Sequence, residues 1–163
     1  REMGRTATGV RGMTLDETGD DEVIGMICIK DPEKETVMVV SEQGYGKRSE
    51  IEDYRITNRG GKGVKTLNIT EKTGNLVAIK SVTDENDLVI INKSGITLRM
   101  KVADVRIMGR ATQGVRLINL EKRNDEIASV CKVLSETESD SSNSENIDSA
   151  SEINEAEASE TTE

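Results

Sequence analysis

The sequence predicts an all-β chain built from a repeated unit of about four short strands. Three observations predict it: an internal repeat of 51–54 residues, β-branched runs that fill each period, and turn residues between the runs. The segment REMGRTATGVR (Arg1–Arg11) realigns with RIMGRATQGVR (Arg106–Arg116) at seven of eleven positions. A middle copy keeps the same landmark of Arg, three residues, Gly, Val and a base. The three landmarks are Arg5…Gly9-Val10-Arg11, Arg59…Gly63-Val64-Lys65 and Arg110…Gly114-Val115-Arg116, separated by 54 and then 51 residues. TVMVVSEQG (Thr36–Gly44) and DLVIINKSG (Asp87–Gly95) also repeat at 51, as do Arg48 with Arg99 and Asp53 with Asp104.

Taken in chain order, Val37–Val40, Leu76–Val82, Leu88–Ile91 and Ile96–Met100 are apolar or alternating runs bounded by Gly, Asn, Asp and Ser, as strands are. Ile96, Leu98 and Met100 alternate with Thr97 and Arg99, the period of a half-buried strand. Ser41–Gly44, Thr73-Gly74-Asn75 and Asn92–Gly95 are turn clusters expected to join the runs into hairpins, and Asp20-Asp21-Glu22 and Asp84-Glu85 read as acidic hairpin loops. No helical spacing is sustained. Repeats of this length then point to propeller blades rather than helical arrays.

The expected fold is a partial β-propeller of about two and a half four-stranded blades over residues 1–133, with units near 5–56, 58–107 and 108–133. Unit three lacks a second hairpin, and the chain starts inside a landmark without Met, so it reads as the C-terminal piece of a longer protein. Residues 134–163 hold three Leu or Ile, eight Ser and no base, too little apolar surface to offset ordering entropy, and are expected to be a disordered acidic tail.

Charge follows the same division. All 22 basic residues lie at or before Lys132, against 21 of the 31 acidic ones, so the body is near neutral and the tail carries ten carboxylates. With no His, zinc-finger, zinc-deaminase, serine-triad and His-ligated haem chemistry are excluded. Only Tyr45 and Tyr54 are aromatic, which argues against base stacking on a row of rings. Cys28 and Cys131 lack CxxC spacing and are expected to be buried strand thiols in a reducing cytoplasm. No apolar run reaches the roughly 18 residues of a membrane helix, so no membrane partner is expected.

In the landmarks, glycine permits a backbone bend, valine is expected in the core, and the bases recur at equivalent places around the edge of the blades. Arg5, Arg11, Arg59, Lys62, Lys65, Arg110 and Arg116, with Lys47, Arg48 and Arg99 on neighbouring strands, form the candidate phosphate-binding set. Such a surface would grip and bend duplex DNA without reading base sequence. The middle loop, Arg59-Gly60-Gly61-Lys62-Gly63, adds exposed backbone N–H groups suited to phosphate, but Walker A spacing is absent.

Gly44-Tyr45-Gly46-Lys47-Arg48, the Arg59–Gly63 loop, Asp87–Ile91 and Gly109–Leu117 resemble the C-terminal domain of bacterial DNA gyrase A. The resemblance implies a six-bladed β-pinwheel that wraps duplex DNA and lets the enzyme introduce negative supercoils with ATP. It implies gyrase B and a second copy of gyrase A as partners, with ATP and Mg held on other domains and no cofactor, metal or catalytic residue here. The family's Gln-Arg-Arg-Gly-Gly-Lys-Gly box is matched at five of seven positions by Thr57–Gly63, which marks Arg59 and Lys62 as box-like contacts. The corresponding C-terminal domain of topoisomerase IV shares the architecture and is the nearer alternative. A kelch-type interaction scaffold is the farther one, lacking kelch aromatic signatures and any reason for bases at equivalent positions.

Overall fold

The computed structural model describes residues 2–17, 19, 21–120 and 124–135. Among them are seven strands: β1 Thr36–Ser41, β2 Tyr45–Glu50, β3 Leu76–Val82, β4 Asn86–Asn92, β5 Thr97–Lys101, β6 Val115–Arg116 and β7 Ile127–Leu134. Single 3-10 turns follow the two hairpins at Ile51–Asp53 and Val102–Asp104, one repeat apart. The expected acidic tail lies outside the described residues from 136 onward. Ser135 itself continues from β7, its N–H donating to Glu85 O at 2.9 Å.

The strands form two antiparallel sheets, one in the order β3-β1-β2-β6 and one in the order β5-β4-β7. The β1–β2 and β4–β5 hairpins stand where the sequence places them, with Met38 opposite Arg48 and Val89 opposite Arg99. β2 (YGKRSE) has no β-branched residue; pairing with β1 makes it a strand. The remaining strands depart from the expected blade-per-unit layout. The hairpin of unit one is completed by β3 from unit two and β6 from unit three, and the hairpin of unit two by β7 from unit three. Consequently Asp84–Glu85 is a crossing from one sheet to the next rather than a hairpin loop, and Thr73–Asn75 leads into β3 without a preceding strand. Ile24–Lys30 holds the repeat position of β3 and β7 yet forms no strand.

Stacking of the sheets explains the unbroken apolar run of β1. Met38 and Val40 face one way, into a core with Ala78 and Val82 of β3, Leu88 and Ile90 of β4, Val102 and Val105 at the second 3-10 turn, and Ile127 and Val130 of β7. Val37 and Val39 face the other way and pack with Leu67, under Ile27, Ile51 and Tyr54. Alternating side chains thus serve two interfaces, and both are buried. Each such apolar side chain stabilises the stack by about 1.5–3 kcal/mol.

At a step of 51 residues Met38 and Val40 correspond to Val89 and Ile91, which are only half-buried because no further sheet covers that face among the described residues. Cys131 sits opposite Val89 on β7 and is exposed, and Cys28 is exposed on the strandless segment, so the expected burial of both thiols does not hold. Val10 is exposed for the same reason, whereas Val115 packs against the core.

Candidate nucleic-acid interface

The third landmark is an arch laid along the free edge of β2. Met108 N–H donates to Arg48 O at 2.8 Å, Ser49 Oγ–H to Met108 O at 2.9 Å, and Leu117 N–H to Gly44 O at 2.8 Å. Between these ties β6 pairs Val115 with Gly46 and Arg116 with Tyr45, as the outermost strand of its sheet. Gly114 makes the turn into β6 with φ +81°, and a Cβ there would lie 2.6 Å from Gly46 O. The glycine is therefore required by conformation and by space. Gly9 and Gly63 adopt the same left-handed conformation at φ +86° and +78°, so the bend expected of the landmark glycine occurs in all three copies.

The landmarks lean on one another, and this gathers bases that are distant in sequence. Gly60 N–H donates to Gly12 O at 2.9 Å, Thr14 N–H to Gly61 O at 3.0 Å and Thr14 Oγ–H to Gly60 O at 2.6 Å. The zipper sets Arg11 beside the loop carrying Arg59 and Lys62, all three exposed. Lys62 also lines an open cavity of about 550 Å³ with Thr14, Leu15, Asp16, Glu17 and Asp21. A second group forms where Asn68 N–H donates to Thr112 O at 3.1 Å. There Arg110 donates to Asp53 O at 3.1 Å and to Lys65 O, and Lys65 Nζ reaches Asn68 Oδ1 at 2.9 Å. A third group surrounds Tyr45, with Arg116 Cζ 5.6 Å and Lys72 Nζ 5.7 Å from the ring centroid. Arg116 also donates to Tyr45 Oη at 3.1 and 3.3 Å.

Lys72 is absent from the sequence-derived set. The signal lay in Glu71-Lys72, which recurs as Glu121-Lys122 fifty residues later. Arg5 is exposed at the start of the first landmark, and Arg99 is exposed on β5, where Nε donates to Asp87 Oδ2 at 2.8 Å.

Two expected contacts are corrected. Lys47 is 0 % exposed and Arg48 4 %, so neither side chain can meet a phosphate. They leave opposite faces of β2, Lys47 toward the Gly109–Arg110 turn of the arch and Arg48 toward the second sheet, and their donors are spent on the protein. Arg48 reaches Thr36 Oγ1, Asp84 Oδ1 and the carbonyls of Val102 and Val105. Lys47 Nζ donates to Gly109 O at 2.7 Å and to Arg110 O, and burial holds its pKa below the ordinary lysine value, with Asp53 opposing that shift and Arg110 adding to it. Of the two tyrosines, Tyr54 Oη bonds Thr66 Oγ1 and Tyr45 Oη accepts from Arg116. Among the described residues no group of His, Cys, Asp or Glu is arranged to hold a metal, and no helix is long and apolar enough to cross a membrane.

Comparison with known proteins agrees with this architecture. A protein family described as the DNA gyrase C-terminal domain, beta-propeller, matches residues 1–30, 35–83 and 86–131, each stretch containing one landmark. The DNA gyrase A protein of Staphylococcus aureus is 48 % identical over 145 residues, which cover 89 % of this chain and 16 % of the relative. The same protein from another strain of that species is 53 % identical over 120 residues, 74 % of this chain and 13 % of the relative. The chain thus spans about a sixth of the length of these relatives. Among solved structures, a DNA gyrase A C-terminal domain superposes with a TM-score of 0.58 at 27 % identity, over 63 % of this chain and 34 % of that one. The C-terminal domain of DNA topoisomerase IV superposes at 0.70 with 22 % identity, over 77 % of this chain and 38 % of the other, a likeness of fold. Three matched repeats, near-half identity along most of the chain and the shared sheet architecture lead to one conclusion: the chain belongs to the DNA gyrase A C-terminal domain family of β-propellers.

Proposed function

We propose that this chain binds duplex DNA, without sequence preference, along the outer edge formed by its landmark loops, and bends it as the wrapping element of a gyrase-type topoisomerase. The observation that carries this reading is the grouping of bases on successive landmarks: Arg11, Arg59 and Lys62, then Lys65 and Arg110, then Arg116 with Lys72. Repeated units place like charge at regular steps, and regular steps of positive charge suit a curved phosphate backbone. In this reading the whole protein is a type II topoisomerase assembled from two copies each of gyrase A and gyrase B, and ATP, Mg and the strand-breaking tyrosine are supplied elsewhere in that assembly. Its site of action is the bacterial nucleoid in the cytoplasm.

The test is Arg59→Ala with Lys62→Ala in the full-length protein. Losing two phosphate contacts should make the salt dependence of DNA binding shallower by about two units of log–log slope. Wrapping and negative supercoiling of a relaxed plasmid should fall while DNA cleavage persists. Unchanged wrapping with both bases removed overturns the assignment. The topoisomerase IV alternative is favoured only by its fold likeness, at a TM-score of 0.70, and would be supported by decatenation without negative supercoiling.

A further inference from the structure

We infer that Lys47 is a positioning residue for the DNA-facing edge: its buried ammonium clamps the Gly109–Arg110 turn so that Arg110 stands beside Lys65 where a duplex backbone passes. The inference rests on the reading of Arg110 and Lys65 as phosphate contacts and goes beyond it, because Lys47 itself never reaches the surface. Its side chain is fully buried, and it donates to Gly109 O at 2.7 Å and to Arg110 O, both carbonyls of the third landmark. Among the described residues no carboxylate is bonded to it. A buried ammonium satisfied only by carbonyls is costly for stability alone.

The repeat supplies an internal comparison. One period later the same strand position is Leu98 on β5, an edge strand with no described arch upon it. The hairpin therefore forms with an apolar residue at that place, and the lysine occurs where an arch must be held. From the clamped turn, Arg110 reaches Asp53 O of unit one and Lys65 O of unit two, so a single arch sets the spacing of bases from two landmarks. Ser49, two residues along β2, grips the preceding carbonyl of Met108 at 2.9 Å and belongs to the same clamp.

The experiment compares Arg110→Ala, Lys47→Met, Lys47→Arg and the Arg110→Ala/Lys47→Met double variant in the full-length protein, binding a fluorescent linear duplex across a salt titration, with melting temperature recorded in parallel. Arg110→Ala is expected to weaken binding about three- to tenfold and to reduce the salt slope by about one. Lys47→Met should reproduce both changes although it removes no surface charge, the double variant should lose no more than either single one, and Lys47→Arg should recover part of the loss. Wild-type affinity and slope in Lys47→Met, beside a weakened Arg110→Ala, overturn the inference and leave the DNA reading intact. An Arg110→Ala variant that binds as wild type overturns the phosphate role of Arg110 and the inference with it. A double variant showing the full product of the two losses also overturns the inference, since it makes the effect of Lys47 independent of Arg110. If Lys47→Met does not fold, Ser49→Ala removes the neighbouring clamp on Met108; a smaller loss with a shallower slope supports the inference, and unchanged binding refutes it.

Discussion

Arg48 and Arg99 occupy the same position one repeat apart, and the structure assigns them different energetic roles. Arg48 leaves the first sheet and ends at the second, where it donates to Val102 O at 3.1 Å and Val105 O at 3.4 Å around the 3-10 turn, besides Thr36 Oγ1 at 3.1 Å and Asp84 Oδ1 at 2.7 Å. Replacing it with Met keeps the apolar stem and deletes every donor. Asp84 is 74 % exposed and rehydrates, so the ion pair contributes little to the loss. Of the two core-side carbonyls, Val102 O keeps the Val105 N–H at 2.9 Å, whereas Val105 O loses its donor. With about 1 kcal/mol for Val105 O left unpaired, the low end because its bond is long, and about 0.5–1.5 kcal/mol for each bond lost at Val102 O and Thr36 Oγ1, Arg48→Met should cost about 2–4 kcal/mol. Arg99 binds Asp87 and Leu134 O on the uncovered side of the second sheet, with 40 % of its side chain exposed, and Arg99→Met should cost about 1 kcal/mol. Urea unfolding of the two variants at matched protein concentration measures the difference, and hydrogen exchange at Val102–Val105 localises it: those amides should lose protection in Arg48→Met alone. Equal costs to within roughly 0.5 kcal/mol, or full protection of those amides in Arg48→Met, refute the view that Arg48 ties the sheets together.

Two further outcomes follow from the geometry. Gly114→Ala forces a left-handed residue to carry a Cβ 2.6 Å from Gly46 O, which should cost about 2 kcal/mol or more and detach β6 from β2, read as lost exchange protection at Val115; wild-type stability would contradict it. The hydrogen bond from Ser135, and then Arg99, hold the Asp87 carboxyl below the ordinary aspartate pKa, so its stabilising contribution is present above the unfolded pKa and is lost as pH falls through the lower folded value. Asp87→Asn should therefore melt lower at neutral pH and show a shallower decline below about pH 4; parallel melting profiles for the two proteins would rule the coupling out.

What the sequence determined on its own is what local physics writes into it. Strand runs such as Leu88–Ile91 declare themselves through β-branching and flanking turns, and Gly9, Gly63 and Gly114 through a backbone conformation that other residues resist. The 51-residue step follows from stacking like units, since each must present the same faces to its neighbours. The tertiary structure decided which strands share a sheet. Nothing in the composition of β3 or β6 says that they complete the hairpin of unit one, because pairing between units is chosen by the arrangement of whole sheets and not by neighbouring residues. It also decided the fate of the bases. In sequence Lys47 and Arg48 look as available as Arg59 or Lys65, and they become buried only because a distant arch and a second sheet close over β2. Conversely Cys131, Val89 and Ile91 carry the apolar character of interior residues and stay partly open, because burial depends on a neighbouring sheet as well as on the residue itself.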